Sequence, residues 1–123
     1  MSSIADMPTS PESNACDEWE VQPADLPALR AQFADLLLMD CRTRAEFEED
    51  RLDGCELVPM QEVSVRLGEL DHWRERVVVV YCRSGRRSGI VARYLSQRGF
   101  ACVRSLAGGI IKVRECERNG IKC

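Results

Sequence analysis

The sequence has 123 residues, 45% of them hydrophobic and 30% charged, which fits one compact domain and leaves no room for two. It has no apolar run of roughly 18 residues and no secretory signal at its start, so we expect a cytoplasmic protein without a membrane span. The net charge of −3 divides into −12 over residues 1–71 and +9 over residues 72–123. Because the basic half lacks a groove-reading motif and aromatic stacking pairs, we expect a small anionic ligand and no nucleic acid.

The seven cysteines are odd in number, and no two of them are separated by only two residues. A zinc ribbon or a thioredoxin-type pair is therefore unsupported, and we expect neither a metal ion nor another cofactor. In a cytoplasmic protein these cysteines are expected to be reduced thiols. They are Cys16, Cys41, Cys55, Cys82, Cys102, Cys116 and Cys123.

The chain is predicted to comprise a tail and one domain. Residues 1–17 are rich in Ser, Pro and acidic side chains and have no apolar periodicity, which predicts a mobile tail before a domain at residues 18–123. The domain is predicted to begin with an extended piece, Trp19–Val21, and a helix behind Pro23, a residue suited to a first helical turn. The apolar residues at helical spacing are Leu26, Leu29 and Phe33.

The next segment combines a predicted strand with a predicted helix. Leu36–Met39 is typical of a buried strand, and Asp40 and Arg42 follow at its carboxyl end. Thr43 with Glu46 three residues later forms the pattern of a capping box, which predicts a short acidic helix.

Two further strands are predicted in the middle of the chain. Asp53-Gly54 indicates a turn before a short strand at Cys55–Val58. Val77–Tyr81 has no polar alternation and is rich in β-branched side chains, which predicts a central strand covered on both faces. Between them, one apolar helix face is predicted from Val63, Leu67 and Leu70.

The last third of the domain is predicted to alternate helix, strand and helix. The apolar stripe of the first helix is Ile90, Val91, Tyr94 and Leu95. Gly99 ends that helix, Cys102-Val103 is the next strand, and the glycine loop Leu106–Gly109 leads into a final helix at Ile110–Arg118. This alternation predicts an α/β domain with a mainly parallel central sheet flanked by helices on both faces.

Ligands of parallel sheets lie at the carboxyl ends of the strands. Here two segments occupy that place: Asp40-Cys41-Arg42 and the loop Cys82–Gly89. The loop lies between the strongest predicted strand and a helix, where backbone N–H groups can converge at the positive helix end and lower the pKa of the Cys82 thiol. Gly85 allows a tight turn. Forked donors for an oxyanion come from Arg83, Arg86 and Arg87.

The sequence resembles the single-domain rhodaneses, or thiosulfate sulfurtransferases, over about residues 18–120, and the resemblance rests on three segments. Leu37–Phe47 is similar to the strand, Asp-x-Arg and acidic helix of that family. Val79–Ser88 closely resembles its active-site loop, and Leu106–Ile110 resembles its glycine motif. The sequence departs from the family at Asp50-Arg51, where Gly-His is usual, and lacks a tryptophan after the double glycine, where Lys112 and Val113 stand.

The resemblance implies a rhodanese-like fold and a sulfurtransferase that carries sulfur as a persulfide on Cys82. The implied donor is thiosulfate or a related sulfane compound, and the implied acceptor is a thiol, cyanide or a protein. Donor binding would fall to the rest of the loop: Arg83, Ser84, Gly85, Arg86, Arg87 and Ser88. Arg87 is expected to pack on the loop or on Asp40, and Asp40 and Arg42 are expected to support neighbouring loops.

Two alternatives remain open. Cysteine-dependent phosphatases and arsenate reductases, which are related to the rhodaneses, use a loop one residue longer, with arginine six positions after the cysteine, where this chain has Ser88. A non-catalytic module could instead use the basic loop to dock a partner, although docking alone does not require a nucleophile at the focus of the loop.

Two other residues, Cys41 and His72, have side chains that could take part in catalysis. Cys41 follows a strand whose end is expected to lie beside Cys82, so it is a candidate resolving thiol, and the competing interpretation is simple packing. His72, the only histidine, is a poor candidate for a catalytic base because a preformed thiolate needs none.

Overall fold

The computed structural model describes residues 19–123, so the predicted tail at residues 1–17 lies outside the described residues. Its five strands are β1 (Glu20–Val21), β2 (Leu37–Asp40), β3 (Cys55–Leu57), β4 (Val77–Tyr81) and β5 (Cys102–Leu106). They form one fully parallel sheet in the order β1-β5-β4-β2-β3. The predicted central position of Val77–Tyr81 is therefore confirmed.

Residues 19–123 contain four α-helices: α1 (Leu26–Gln32), α2 (Arg44–Glu49), α3 (Arg86–Gln97) and α4 (Gly109–Arg118). The first three lie between strands, and α4 follows β5. Short 3₁₀ turns lie at Pro23–Asp25, Met60–Glu62 and Asp71–Trp73. None of the helices in residues 19–123 has the length and apolar character needed to cross a membrane.

The two faces of the sheet carry separate apolar cores, because alternate residues of each strand point to opposite faces. On one face Val78 and Val80 of β4 pack with Val91 and Leu95 of α3. On the other face Val77 and Val79 belong to a cluster that is completed by α1 and α4 through Leu26, Leu29, Ile110 and Val113. The predicted α/β architecture with helices on both faces is confirmed.

Two of the departures from the rhodanese pattern, Asp50 and Arg51, lie where the segment after α2 contacts α4. Asp50, at the end of α2, accepts two hydrogen bonds from the Arg114 guanidinium at 2.8 and 3.0 Å. Arg51 contributes its carbonyl oxygen to the same guanidinium at 3.0 Å. Val113 is buried in the core. Asp50 and Arg51 therefore tie α4 to the segment that follows α2, and Val113 packs α4 into the core.

Three expectations about the elements and the cysteines are wrong. The segment Val63–Leu70 forms a series of turns rather than a helix, because bonds to the third and fourth preceding residues alternate along it. Ile90 is 55% exposed, so the buried stripe of α3 consists of its neighbours alone. Cys102 is disulfide-bonded, whereas the other described cysteines are free thiols.

Candidate active site

Cys82 lies at the carboxyl end of the central strand, where β4 gives way to α3. Three loop residues separate it from the first residue of α3. Gly85 adopts φ +100° at the start of that helix, a left-handed conformation that strains residues with a Cβ. The tight turn directs the first N–H groups of the helix back toward the cysteine, as the loop pattern predicts.

The Cys82 sulfur accepts hydrogen bonds from this turn. The Gly85 N–H donates to Sγ at 3.0 Å, and the Ser88 N–H donates at 3.4 Å. The Ser88 hydroxyl lies 3.5 Å from Sγ and 2.7 Å from the hydroxyl of Ser105 in β5, so Ser105 can donate to Ser88 while Ser88 donates to the sulfur. These donors favour a negatively charged sulfur.

The electrostatics of the site maintain Cys82 as a thiolate. The neighbouring Cys41 thiol is the largest cause that lowers the pKa of Cys82 to about 4, from the ordinary value of 9.0. Burial opposes this shift, and the donors from Ser88 and Gly85 add to it. The same contact, together with burial, raises the pKa of Cys41 far above its ordinary value. Of the two thiols, Cys82 is therefore the one whose ionised form the site favours.

The glycine motif packs against the back of the loop. At the start of α4, the N–H groups of Ile110 and Ile111 donate to the carbonyl oxygens of Cys82 and Arg83 at 3.0 and 3.2 Å. Gly109 has φ +62°, and a Cβ at this position would lie 2.3 Å from the Arg83 oxygen. A larger residue cannot occupy this position without displacing the loop, so the motif holds the loop in place.

The sequence analysis expected Arg87 to pack on the loop or on Asp40. The structure pairs this side chain with Glu46 instead. Its guanidinium forms two hydrogen bonds to the carboxylate of Glu46, at 3.0 and 3.1 Å. Glu46 also completes the predicted capping box with Thr43. This pairing lowers the pKa of Glu46 to about 2, with the Arg87 hydrogen bond as the largest cause. The pair ties α2 to the start of α3.

Asp40 and Arg42 form a buried ion pair under the site. The Asp40 side chain is fully buried and accepts from the Arg42 side chain at 2.8 to 3.2 Å and from the Tyr81 hydroxyl at 2.8 Å. Arg42 also donates to the Asp50 carbonyl oxygen at 2.5 Å. The Tyr81 hydroxyl in turn accepts from the Leu52 N–H at 3.1 Å. This network joins the ends of β2 and β4 to the segment after α2, and the supporting role of both residues stays a prediction.

The remaining loop residues face solvent. Arg83, Ser84 and Arg86 are exposed, and within residues 19–123 neither arginine belongs to an ion pair. Arg83 lines a cavity of about 270 Å³ together with Arg114, Arg118 and side chains of α2. Cys82 itself is only 1% exposed.

The site therefore brings together the predicted loop and two residues whose part in it sequence reasoning missed, Glu46 and Ser105. Glu46 was recognised only as a helix cap, and no local pattern indicates its partner forty-one positions later. Ser105 lies in the part of β5 that the predicted strand at Cys102-Val103 left out.

Across residues 19–123, no group of three or more metal-ligating side chains is positioned to hold a metal ion.

The geometry of the loop is consistent with what sequence comparison finds. The sequence model of the rhodanese-like domain family matches residues 23–116. The chain belongs to this family. A sulfurtransferase of Allochromatium vinosum is 38% identical over 92 residues, which cover 75% of this chain and 84% of that one. The thiosulfate sulfurtransferase PspE of Escherichia coli is 31% identical over 78 residues, 63% of this chain and 74% of that one.

Two further comparisons define the extent of the likeness. The structure of a human single-domain sulfurtransferase superimposes with a TM-score of 0.70 at 20% identity, over 80% of this chain and 96% of that one, which shows a common fold. Other relatives are longer: the tRNA uridine(34) hydroxylase of Cytophaga hutchinsonii is 28% identical over 95 residues, 75% of this chain but only 30% of that protein. The family thus includes both single-domain sulfurtransferases and larger proteins.

Proposed function

We propose that this chain is a sulfurtransferase that carries a sulfane sulfur as a persulfide on Cys82. The observation that carries the proposal is the buried Cys82 sulfur at the focus of the Gly85 and Ser88 N–H groups, 3.0 and 3.4 Å away. A nucleophile with its pKa lowered to about 4 is ionised throughout the neutral range. The relatives named sulfurtransferases support the same reaction class.

The first step loads sulfur from thiosulfate or a related donor. The Cys82 thiolate attacks the outer sulfur of thiosulfate, a new sulfur–sulfur bond forms, and the electron pair of the broken bond leaves with sulfite. Charge is conserved, because a thiolate and a dianion become a persulfide anion and sulfite dianion. The exposed guanidinium groups of Arg83 and Arg86 attract the donor, and the loop N–H groups stabilise the persulfide anion.

The second step releases the sulfur to an acceptor. A thiolate or cyanide attacks the outer sulfur of the persulfide, and the electron pair returns to Cys82. The products are a new persulfide or thiocyanate and the original Cys82 thiolate, so no oxidant is consumed. Because Cys82 is almost fully covered, the acceptor must be small or must present its sulfur-accepting atom at the loop.

The phosphatase and arsenate reductase alternative is less well supported by the loop. The position six residues after Cys82 holds Ser88, whose N–H and hydroxyl face the sulfur. Arg87, one position earlier, is engaged by Glu46. The loop therefore lacks the arginine that the longer phosphatase loop places six positions after its cysteine. The docking module is disfavoured by the charged nucleophile itself, which docking does not need.

Steady-state transfer from thiosulfate to cyanide tests the proposal. The wild type is expected to form thiocyanate, the Cys82→Ser variant is expected to form none, and Cys116→Ser is the matched control because it removes a free thiol from the far half of α4. Equal activity of wild type and Cys82→Ser would refute the role of Cys82. The natural donor, the natural acceptor and the cytoplasmic location remain predictions, and the location can be checked by cell fractionation.

A further inference from the structure

Cys41 lies directly beside Cys82 on the neighbouring strand. Leu38, Met39 and Asp40 of β2 pair with Val79, Val80 and Tyr81 of β4, so the next residues in this register are Cys41 and Cys82. The ladder continues to that point, because the Cys41 N–H donates to the Tyr81 carbonyl oxygen at 3.0 Å. Neighbouring strands lie about 4.8 Å apart, and residues paired across them place their side chains on the same face.

The environment of the two thiols is shared and closed to water. Each cysteine is 1% exposed, and both belong to the same apolar cluster as Met39 and Val80. The Cys41 backbone is also fixed from the other side, because its carbonyl oxygen accepts from the Met60 N–H at 3.0 Å. Cys41 is therefore held at one place in the core, on the same face of the sheet as Cys82.

We propose that Cys41 is a positioning residue, whose thiol donates a hydrogen bond to the Cys82 thiolate and thereby keeps that sulfur charged and aimed at the loop. A thiolate in an apolar core needs donors on every side to remain ionised. The loop supplies the Gly85 and Ser88 groups, and Cys41 supplies the donor from the sheet. The contribution of Cys41 is the largest of these to the lowered pKa of Cys82.

The other charged groups near Cys41 and Cys82 come from α3 and β2. Arg87, from α3, lowers the pKa of Cys41, and Asp40, from β2, raises it. Both are neutralised by partners of their own, Glu46 and Arg42. The thiol-to-thiolate contact therefore remains the main control on the ionisation of Cys82. As a statement about catalysis this inference rests on the proposed sulfur transfer, whereas as a statement about the titration of Cys82 it does not.

The test replaces Cys41 and follows the pH dependence of Cys82 alkylation by iodoacetamide, read on the Cys82-containing peptide by mass spectrometry. Cys41→Ala and Cys41→Val remove the donor, the second while filling the volume, and Cys41→Ser retains a donor. Loss of one hydrogen bond to a charged group is expected to raise the pH midpoint of Cys82 alkylation by about 1–2 pH units. Cys41→Ser is expected to recover at least about half of that shift, because its hydroxyl donates to the same sulfur.

The behaviour at higher pH separates this role from a structural one. A midpoint raised from about 4 by this amount still leaves Cys82 at least about 90% ionised at pH 7. A thiolate of higher pKa is also a better nucleophile. At pH 8 the two non-donor variants should therefore react at least as fast as the wild type, and below pH 5 they should react more slowly.

Two results would overturn the inference. One is an unchanged midpoint in both Cys41→Ala and Cys41→Val, and the other is slower alkylation at every pH, which indicates damage to the core. Circular dichroism of each variant confirms that folded protein is being titrated. No sulfur donor is present in these measurements, so they distinguish failure of this inference from failure of the proposed sulfur transfer.

Discussion

Replacement of Gly109 by alanine tests whether the glycine motif supports the active-site loop. A Cβ at Gly109 would lie 2.3 Å from the Arg83 carbonyl oxygen and 2.5 Å from that of Cys82, and the residue has φ +62°. The left-handed conformation alone costs a residue with a Cβ about 1–2 kcal/mol. Relief of the contact with backbone atoms adds a similar amount or more. We expect a total destabilisation of about 3 kcal/mol, which lowers the Tm by roughly 10–20 °C.

Gly89→Ala is the matched control, because it makes the same chemical change near the start of α3. A Cβ at Gly89 would meet nothing within 4 Å, and its φ is not positive. Alanine is favoured over glycine in a helix by about 0.8–1 kcal/mol, so this variant should have a slightly higher Tm. Thermal unfolding monitored by circular dichroism gives both values. If Gly109→Ala unfolds at the wild-type temperature, the close approach of α4 to the loop is wrong.

The remaining predictions concern the ion pairs and the exposed loop. Asp40→Asn leaves the buried Arg42 charge without its partner, so the free energy of unfolding measured in urea should fall by about 3–5 kcal/mol. Asp35→Asn, in an exposed pair, should lower it by at most about 1 kcal/mol. Equal losses in the two variants would refute the distinction. The pKa of Glu46 is lowered to about 2, so its ionised form stabilises the fold above pH 4.5 and this contribution is lost as pH falls through 2. Glu46→Gln should therefore be less stable than the wild type at pH 7, with a smaller difference at pH 2.5; a constant difference would contradict the pairing. Arg86→Gln should raise the KM for thiosulfate roughly 5-fold, about 1 kcal/mol, without moving the alkylation midpoint of Cys82, and an unchanged KM would exclude Arg86 from donor binding.

The sheet was predictable from the sequence because its strands carry strong local signals. Val77–Tyr81 is apolar at every position, and all five residues are buried in the centre of the sheet. The turn at Asp53-Gly54 and the capping box at Thr43 are also local patterns, and both are present. Such features depend on residues a few positions apart, so sequence reasoning reaches them.

The segment Val63–Leu70 shows where local patterns fail. Its apolar residues recur at helical spacing, and Val63 and Leu70 are indeed buried. However, Gly68 and the β-branched residues Val63 and Val65 weaken helix formation, and the chain follows the sheet surface in successive turns instead. Burial was predicted correctly, and the backbone that achieves it was not.

The contacts of the site could be predicted only in part. Cys82 and its loop are contiguous in sequence, so the donors from Gly85 and Ser88 follow from the strand–loop–helix turn. The partner of Arg87 lies forty-one positions away in Glu46, and several carboxylates are equally plausible from the sequence. Long-range pairings of this kind depend on how helices pack across the sheet, which no local spacing encodes.

Intact-mass spectrometry after incubation with thiosulfate tests the central claim most directly. The wild type is expected to gain the mass of one sulfur atom, peptide mapping should place it on Cys82, and cyanide should remove it. The Cys82→Ser variant should gain nothing, although its other free thiols are retained. A wild-type protein that gains no sulfur from thiosulfate or other sulfane donors, or that gains it equally without Cys82, would contradict the account.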